Sequence, residues 1–160
     1  MRHAFAVVLL LLATASQAEP VFLDQLVEMP LTTLQTYFPG LKKEGCYRLA
    51  DGRFLLVAID KKDSKPWRIV LASDAPCRRP DTGPALDVQQ RKGVQFGDST
   101  IQVVEKMGRP DAAAEPETAL KRLGETEYFY ICRVSEGCAR HTSIFIRDGL
   151  VSAIAEWYSD

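Results

Sequence analysis

Histidine is scarce in this sequence, and no long apolar run follows the N-terminal region. Of its 160 residues only two are histidines, and His141 is the only one beyond residue 18. Hydrolytic triads and metal sites usually rely on histidine, so we expect no catalytic residue, no metal site and no cofactor. A Gly-rich phosphate loop and a nucleophile elbow are missing too. These absences favour a non-catalytic protein.

An excess of charge of either sign is missing as well. The chain carries 20 Lys and Arg against 21 Asp and Glu, for a formal net charge of −1. A general nucleic-acid binder needs a clustered surplus of basic residues, so we expect no nucleic-acid partner. The apolar fraction of 46% is ordinary for a globular domain.

The N-terminus has the pattern of a secretory signal peptide. Arg2 supplies a positive charge, residues 4–13 form an apolar run, and Ser16 and Ala18 are small residues suited to a cleavage site. The run is about half of the ~20 residues that a spanning helix needs, which favours a cleaved peptide over a retained anchor. We therefore expect cleavage after Ala18, no lipoprotein anchor, no transmembrane segment in the mature chain, and a location in the periplasm of a Gram-negative bacterium.

Four cysteines follow the predicted signal peptide. In an oxidising compartment an even number of cysteines favours disulfides, and four cysteines allow three connectivities. A zinc site is disfavoured because no Cys-x-x-Cys pair is present. Proximity along the chain favours the pairs Cys46–Cys77 and Cys132–Cys138.

The first half, residues 19–78, is predicted to form helices followed by a three-stranded meander. Pro30 interrupts the helical pattern, because proline is tolerated only near the start of a helix. Asp51-Gly52 is typical of a two-residue hairpin turn in which both residues have positive φ. The strands are predicted at residues 46–50, 53–60 and 67–73, with Trp67, Ile69 and Leu71 on one face.

A linker at residues 79–93, rich in proline and glycine, precedes the second half, residues 94–160. There Ser99 and Gln102 fit a capping box that starts a helix. Asp148-Gly149 is a second hairpin signal, and residues 111–125 are predicted as a loop or a short helix. The predicted buried stripe of the helix is Ile101, Val104 and Met107, and the strands are predicted at residues 127–132, 142–147 and 150–157.

Both halves thus have the same order of helix and three strands. The predicted fold class is α+β, with short helices packed on antiparallel meander sheets in a degenerate tandem repeat. The two halves could form separate units or one domain.

Residues 96–111, from Phe96 through the capped helix to Gly108 and Pro110, resemble the helix-and-turn signature of the SmpA/OmlA (BamE-like) family. The resemblance extends over about residues 93–158. It implies a small domain in which a capped helix, a Gly-x-Pro stop and a three-stranded antiparallel sheet follow one another. The tandem, disulfide-linked arrangement is also similar in architecture to β-lactamase inhibitor proteins.

Four aromatic residues on predicted strands are candidate binding residues: Trp67, Tyr128, Tyr130 and Trp157. They could simply fill the core. However, a single helix layer covers only one sheet face, and Trp157 and Ile154 lie on opposite faces of one predicted strand. Since Trp and Tyr are prominent in binding hot spots, aromatics on the uncovered face would serve as anchors.

We therefore predict an exported protein-binding module that acts on another periplasmic or outer-membrane protein, as an inhibitor or immunity-type protein. The alternative is a scaffold factor for envelope or outer-membrane assembly. A small periplasmic hydrolase is the third class to be considered.

Overall fold

The computed structural model describes residues 20–132 and 140–158. Within them the chain has the predicted α+β fold, with short helices packed on a mostly antiparallel sheet. The helices are α1 (Leu23–Glu28), α2 (Leu31–Tyr37) and α3 (Thr100–Met107). The strands are β1 (Val21–Phe22), β2 (Glu44–Arg48), β3 (Phe54–Ile59), β4 (Pro66–Ala72), β5 (Asp81–Thr82), β6 (Val88–Gln89), β7 (Ala112–Ala114), β8 (Thr126–Ile131), β9 (Arg140–Arg147) and β10 (Leu150–Tyr158).

Eight of these strands form one sheet in the order β5-β2-β3-β4-β10-β9-β8-β7. The other two, β1 and β6, make a separate parallel pair. The meanders β2-β3-β4 and β8-β9-β10 meet where β4 pairs antiparallel with β10, which places Leu71 opposite Ile154. The two halves of the chain therefore share one continuous sheet.

The capped helix of the second half is confirmed, but its predicted buried stripe is only partly right: Met107 packs on the core, whereas Ile101 does not. Ser99 accepts a hydrogen bond from the backbone of Gln102, whose side chain accepts one from the backbone of Ser99. Ile101 is 69% exposed, whereas Val103 is fully buried. A helix of about two turns offers more than one apolar stripe, and it is Val103 and Met107 that pack on the core.

The two hairpin signals have different outcomes. At Asp148-Gly149 both residues have positive φ, at 52° and 76°, as the predicted turn requires. In the first hairpin Gly52 has a φ of 89°, but Asp51 is not in the left-handed region. There the strands end at Arg48 and resume at Phe54, so the connection is longer than the predicted two-residue turn.

Short strands occur in two segments for which none was predicted. β5 lies in the predicted linker and pairs parallel with β2 at one sheet edge. β7 lies in the segment predicted as a loop or helix, and it pairs with β8 at the other edge. The three residues of β7 are exposed alanines, without the alternation of apolar and polar residues that predicts a strand. The strand forms because this segment lies along the open edge of β8.

Two register shifts change which side chains share a face. The pairing of β3 with β4 shifts between Ala58 and Ile59, which brings Trp67 to the same face as Arg68 instead of Ile69 and Leu71. The pairing of β9 with β10 shifts between Val151 and Ala153, so Val151 packs with the helix-side core. The predicted face assignment of Trp67 is therefore wrong, because a bulge inserts one residue and reverses the alternation beyond it.

The sheet has a core on each face. The helix-side core is the larger one, and its fully buried members include Leu23 of α1, Leu34 of α2 and Leu55 of β3. The opposite face carries a smaller buried cluster that includes Phe145 and Ala153, and Leu120 and Leu123 cover part of it. The helices therefore account for only one side of the sheet.

The predicted disulfide Cys46–Cys77 is present and ties residue 77, beyond β4, back to β2, with a Cα–Cα distance of 6.5 Å. Cys132 is disulfide-bonded too. Its predicted partner Cys138 lies outside the described residues, as does the predicted signal peptide at residues 1–18. None of the helices in residues 20–132 and 140–158 has the length and apolar character needed to cross a membrane. The covalent link is compatible with an exported protein.

The carboxyl group of Glu156 is buried on the helix-side face of the sheet. Glu156 on β10 is 3% exposed, and its Oε1 accepts a hydrogen bond of 2.9 Å from the hydroxyl of Thr142. Burial raises the pKa of Glu156 to about 7, although Thr142 and Arg140 act to lower it. Asp24 and Glu28 of α1 act in the same direction as burial.

Replacing both Cys46 and Cys77 by alanine is expected to lower the free energy of unfolding by about 3–4 kcal/mol, because the bridge closes a loop of 31 residues. Urea denaturation of the oxidised protein measures this change. The matched control removes Cys132 and Cys138, for which a shorter closed loop predicts a loss of about 2 kcal/mol. An unchanged denaturation midpoint in the Cys46/Cys77 variant would contradict the expectation.

The burial of Glu156 should make stability depend on pH. Between the ordinary pKa of 4.5 and the folded-state pKa of about 7, the folded protein keeps a proton that the unfolded chain releases. The free energy of unfolding should therefore fall as pH rises through this window, by at most about 3 kcal/mol. Denaturation between pH 4 and pH 8 should show this slope in the wild type and in the exposed control Glu105→Gln. Glu156→Gln should lack it, and parallel profiles for Glu156→Gln and the wild type would refute the assignment.

Candidate functional site

The sheet face opposite the helices is covered at one end and open at the other. At the covered end Ser152 donates a hydrogen bond of 2.5 Å to the carbonyl of Leu123. Below this cover Ala72 lies directly opposite Ala153 in the β4–β10 ladder. Toward the start of β4 and the end of β10 the face carries large side chains instead, and Trp67 is 36% exposed there. The open end is the candidate functional site.

Three side chains form the centre of this surface, which we call the Trp67–Arg68–Trp157 cluster. The guanidinium carbon of Arg68 lies 4.4 Å from the ring centroid of Trp67 and 5.3 Å from that of Trp157. The two indoles are 6.0 Å apart and tilted by 57°. The cation thus contacts both indoles, an arrangement typical of cation–π stacking.

Two register features bring the cluster together. In the β4–β10 ladder Trp157 is the direct partner of Arg68, so their side chains are neighbours on one face. The shift in the β3–β4 pairing adds Trp67 to the same face. Because β4 and β10 are central strands of the sheet, hydrogen-bonded on both sides, the cluster stands on a rigid base.

Trp157 is held by a chain of hydrogen bonds that runs across the neighbouring strands. Its Nε1 donates to Oγ of Ser143 at 2.9 Å, and the Ser143 hydroxyl donates to Oε1 of Glu127 at 2.5 Å. Ser143, at the middle of this link, is fully buried. The orientation of the indole is therefore fixed before any partner arrives.

A second aromatic pair extends the surface toward β8. The rings of Phe129 and His141 are stacked, with centroids 5.0 Å apart. His141 is the ladder partner of Trp157, and Phe129 is that of Ser143. The two aromatic groups are thus adjacent on the same face.

Arg68 is only partly satisfied by its surroundings. Its Nε is buried without a hydrogen-bond partner, and across residues 20–132 and 140–158 its side chain makes no ion pair. Burial lowers the pKa of Arg68, opposed by the carboxylates of Glu44 and Glu117 and reinforced by Arg122. Arginine nevertheless stays charged in proteins, so a partly desolvated cation faces the open surface.

The structure separates the four predicted binding residues into two pairs. Trp67 and Trp157 belong to the cluster on the open face. Tyr128 and Tyr130 point to the other face and pack against the helix-side core. The Tyr130 hydroxyl donates a hydrogen bond of 3.3 Å to the carbonyl of Gly108, and burial raises its pKa to about 12. Tyr130 therefore helps to hold the end of α3 in place, and neither tyrosine belongs to the open surface.

Sequence reasoning did not single out Arg68 or Ser143, and it interpreted Glu127 as one of several acidic residues on a solvated face. Arg68 had a detectable signal, since it is a charged residue in an otherwise apolar strand. Ser143 and Glu127 had none, because their roles depend on the register of β8, β9 and β10. Within the described part of the chain, no group of three or more His, Cys, Asp or Glu side chains is placed to hold a metal ion.

Replacing Arg68 by methionine should leave the free energy of unfolding unchanged or raise it by about 1 kcal/mol. Methionine keeps the contact with the indoles and removes a buried donor that lacks a partner, whose desolvation costs about 1–3 kcal/mol. Arg48→Met, at an exposed position on β2, is the control and should change stability little. Chemical denaturation distinguishes the outcomes: a loss above about 1 kcal/mol for Arg68→Met alone would mean that Arg68 stabilises the isolated fold.

Comparisons with known proteins give no indication of the function. No family model, no curated protein and no solved structure matches the chain. The resemblance of residues 93–158 to the SmpA/OmlA family therefore stays a prediction.

Proposed function

We propose that the chain is a non-catalytic, exported protein-binding module that acts on another envelope protein as an inhibitor or immunity-type protein. The Trp67–Arg68–Trp157 cluster on the open sheet face is its binding site. The partner inserts a carboxylate, from an acidic side chain or a chain terminus, against the guanidinium of Arg68. The observation that carries the proposal is the partly buried Arg68, which contacts two indoles and has no hydrogen-bond or ion-pair partner in the described residues.

Charge complementarity specifies the partner chemistry. A guanidinium offers several donors in one plane, and a carboxylate accepts two of them in parallel. Glu44 and Glu117 influence the pKa of Arg68 but make no ion pair with it. A partner carboxylate would supply the acceptor that the surface lacks, in a site where the two indoles exclude water.

The aromatic residues supply the other part of the binding energy. Tryptophan and arginine are enriched in interface hot spots. An indole buries a large area at little cost in side-chain freedom, and a guanidinium adds several hydrogen-bond donors in one plane. Ser143 already fixes the indole of Trp157, so little ordering remains to be done on association. Phe129 and His141 lie beside the cluster and would help to keep water from the contact.

The compartment belongs to the same proposal. The Cys46–Cys77 bridge is compatible with export, since disulfides persist in oxidising compartments. We infer that the signal peptide is cleaved after Ala18 and that the protein acts in the periplasm. An envelope protein with an exposed acidic segment would be accessible to the open face there.

The test begins with the oxidised mature protein as bait in an extract of the native envelope. The recovered protein is then purified and titrated against variants of the bait. Trp67→Ala, Arg68→Met and Trp157→Ala should each weaken binding at least about 30-fold, as expected for hot-spot residues. Tyr37→Ala is the matched control, because Tyr37 is as exposed as Trp67, at 36%, but lies on α2. It should change the affinity less than about twofold.

A double-mutant cycle tests the partner chemistry. Changing one acidic residue of the partner to its amide should couple with Arg68→Met, whereas changes at distant acidic residues should be additive. An inhibitor forms a stoichiometric complex with one enzyme and abolishes its activity. Recovery of a membrane assembly complex without inhibition would favour a scaffold factor, and unchanged binding by all three cluster variants would refute this surface.

A further inference from the structure

A recess lies on the helix side of the sheet, on the other side from the Trp67–Arg68–Trp157 cluster. It is a cleft of about 410 Å³ between α1, the segment after β6, the end of α3 and strands β8–β10. This volume lies in the range of small-molecule sites, about 300–1,000 Å³. The residues that decide its chemistry are Lys92, Arg109, Arg140, Thr142 and Glu156.

Glu156 lines this cleft with one carboxyl oxygen unused. Its Oε1 is engaged by Thr142, whereas its Oε2 is buried without a hydrogen-bond partner. The nearest cation is Arg140, whose Nε lies 3.9 Å from Oε2, beyond hydrogen-bonding distance. Since burial raises the pKa of Glu156 to about 7, the group is protonated below neutral pH. In that state Oε2–H is a donor that lacks an acceptor.

The acidic side chains of α1 near Glu156 are paired with arginines. On α1, Asp24 binds Arg91 at 2.7 Å, and Glu28 binds Arg140 at 2.8 Å. Tyr158 is the remaining titratable neighbour on the same strand, and burial raises its pKa. These pairs satisfy the acidic side chains of α1.

The unpaired charges at the mouth of the cleft are both cations. Lys92 and Arg109 line the cleft and are exposed. Within the described residues their side chains make no ion pair. Asp111 on the same wall accepts a hydrogen bond of 2.8 Å from the backbone of Ile131. The groups still lacking partners are therefore all donors: two cations at the mouth and one protonated carboxyl farther in.

We propose that this cleft binds a small molecule through an oxyanion, either a carboxylate or a phosphate group. Lys92 and Arg109 bind the charge at the mouth, and Glu156 donates a hydrogen bond from Oε2. The site lies on the other side of the sheet from the Trp67–Arg68–Trp157 cluster and does not depend on the proposed protein-binding function.

Isothermal titration calorimetry of the oxidised mature protein tests the site with two probes. Sulfate represents a tetrahedral phosphate group and lactate represents a carboxylate, and both keep a constant charge between pH 6 and pH 8. The probe that binds more tightly identifies the group. With Glu156 titrating near 7, the protonated fraction falls about tenfold between these pH values, so the affinity should fall about tenfold as well.

Variants assign the contacts. Lys92→Ala and Arg109→Ala should each weaken binding about tenfold, whereas Lys42→Ala, at an exposed position on another part of the chain, should not. Glu156→Gln keeps a donor at the same place, so it should retain binding and lose the pH dependence. Glu105→Gln, at an exposed position on α3, should keep the wild-type profile.

Several results would overturn the proposal. Absence of binding by both anions at pH 6 would do so, as would an affinity that rises with pH. Tighter binding of methylammonium at pH 8 than at pH 6, abolished by Glu156→Gln, would show that the cleft takes a cation instead. Because Lys92 and Arg109 are exposed, their variants remain informative even if Glu156→Gln does not fold.

Discussion

The antiparallel pairing of β4 with β10 is the constraint on which the rest of the structure depends. These are the third strands of two meanders, and their ladder from Arg68–Trp157 to Ala72–Ala153 joins the halves into one sheet. Without it each half would have only three main strands and a free edge in place of a shared core. The pairing also creates the site, because it sets Arg68 opposite Trp157. A contact between distant parts of the chain thus fixes both the fold and the proposed binding surface.

The two faces of this sheet differ because the helices of residues 20–132 and 140–158 pack on one of them. On one side α1, α2 and α3 bury the larger core. On the other, Leu120 and Leu123 cover only the end that carries Ala72, Ala153 and Phe145. The end left open is the one that carries a cation in contact with two indoles. A partly desolvated donor without a partner is unfavourable in the isolated protein, which is why its presence points to a ligand rather than to stability.

Elements specified by local residues could be predicted from the sequence, and those specified by distant pairing could not. The Ser99–Gln102 capping box and the Asp148-Gly149 turn depend on a few neighbouring residues, and both were identified. The bulges near Trp67 and Ser152 leave no mark in the local pattern, yet they decide which face each side chain occupies. For the same reason Trp67 and Trp157 could be named as candidates, while the cluster they form with Arg68, and the buried link through Ser143, could not.

The alternation of a single strand explains how two different sites arise next to each other. Glu156 and Trp157 are consecutive on β10, and successive side chains of a strand point to opposite faces. One therefore lines the helix-side cleft and the other the open surface. The strand is paired with β4 on one side and with β9 on the other, so both positions are fixed by a continuous ladder. Because the ladder is made by the backbone, the two sites share one rigid strand while their side chains face different surroundings.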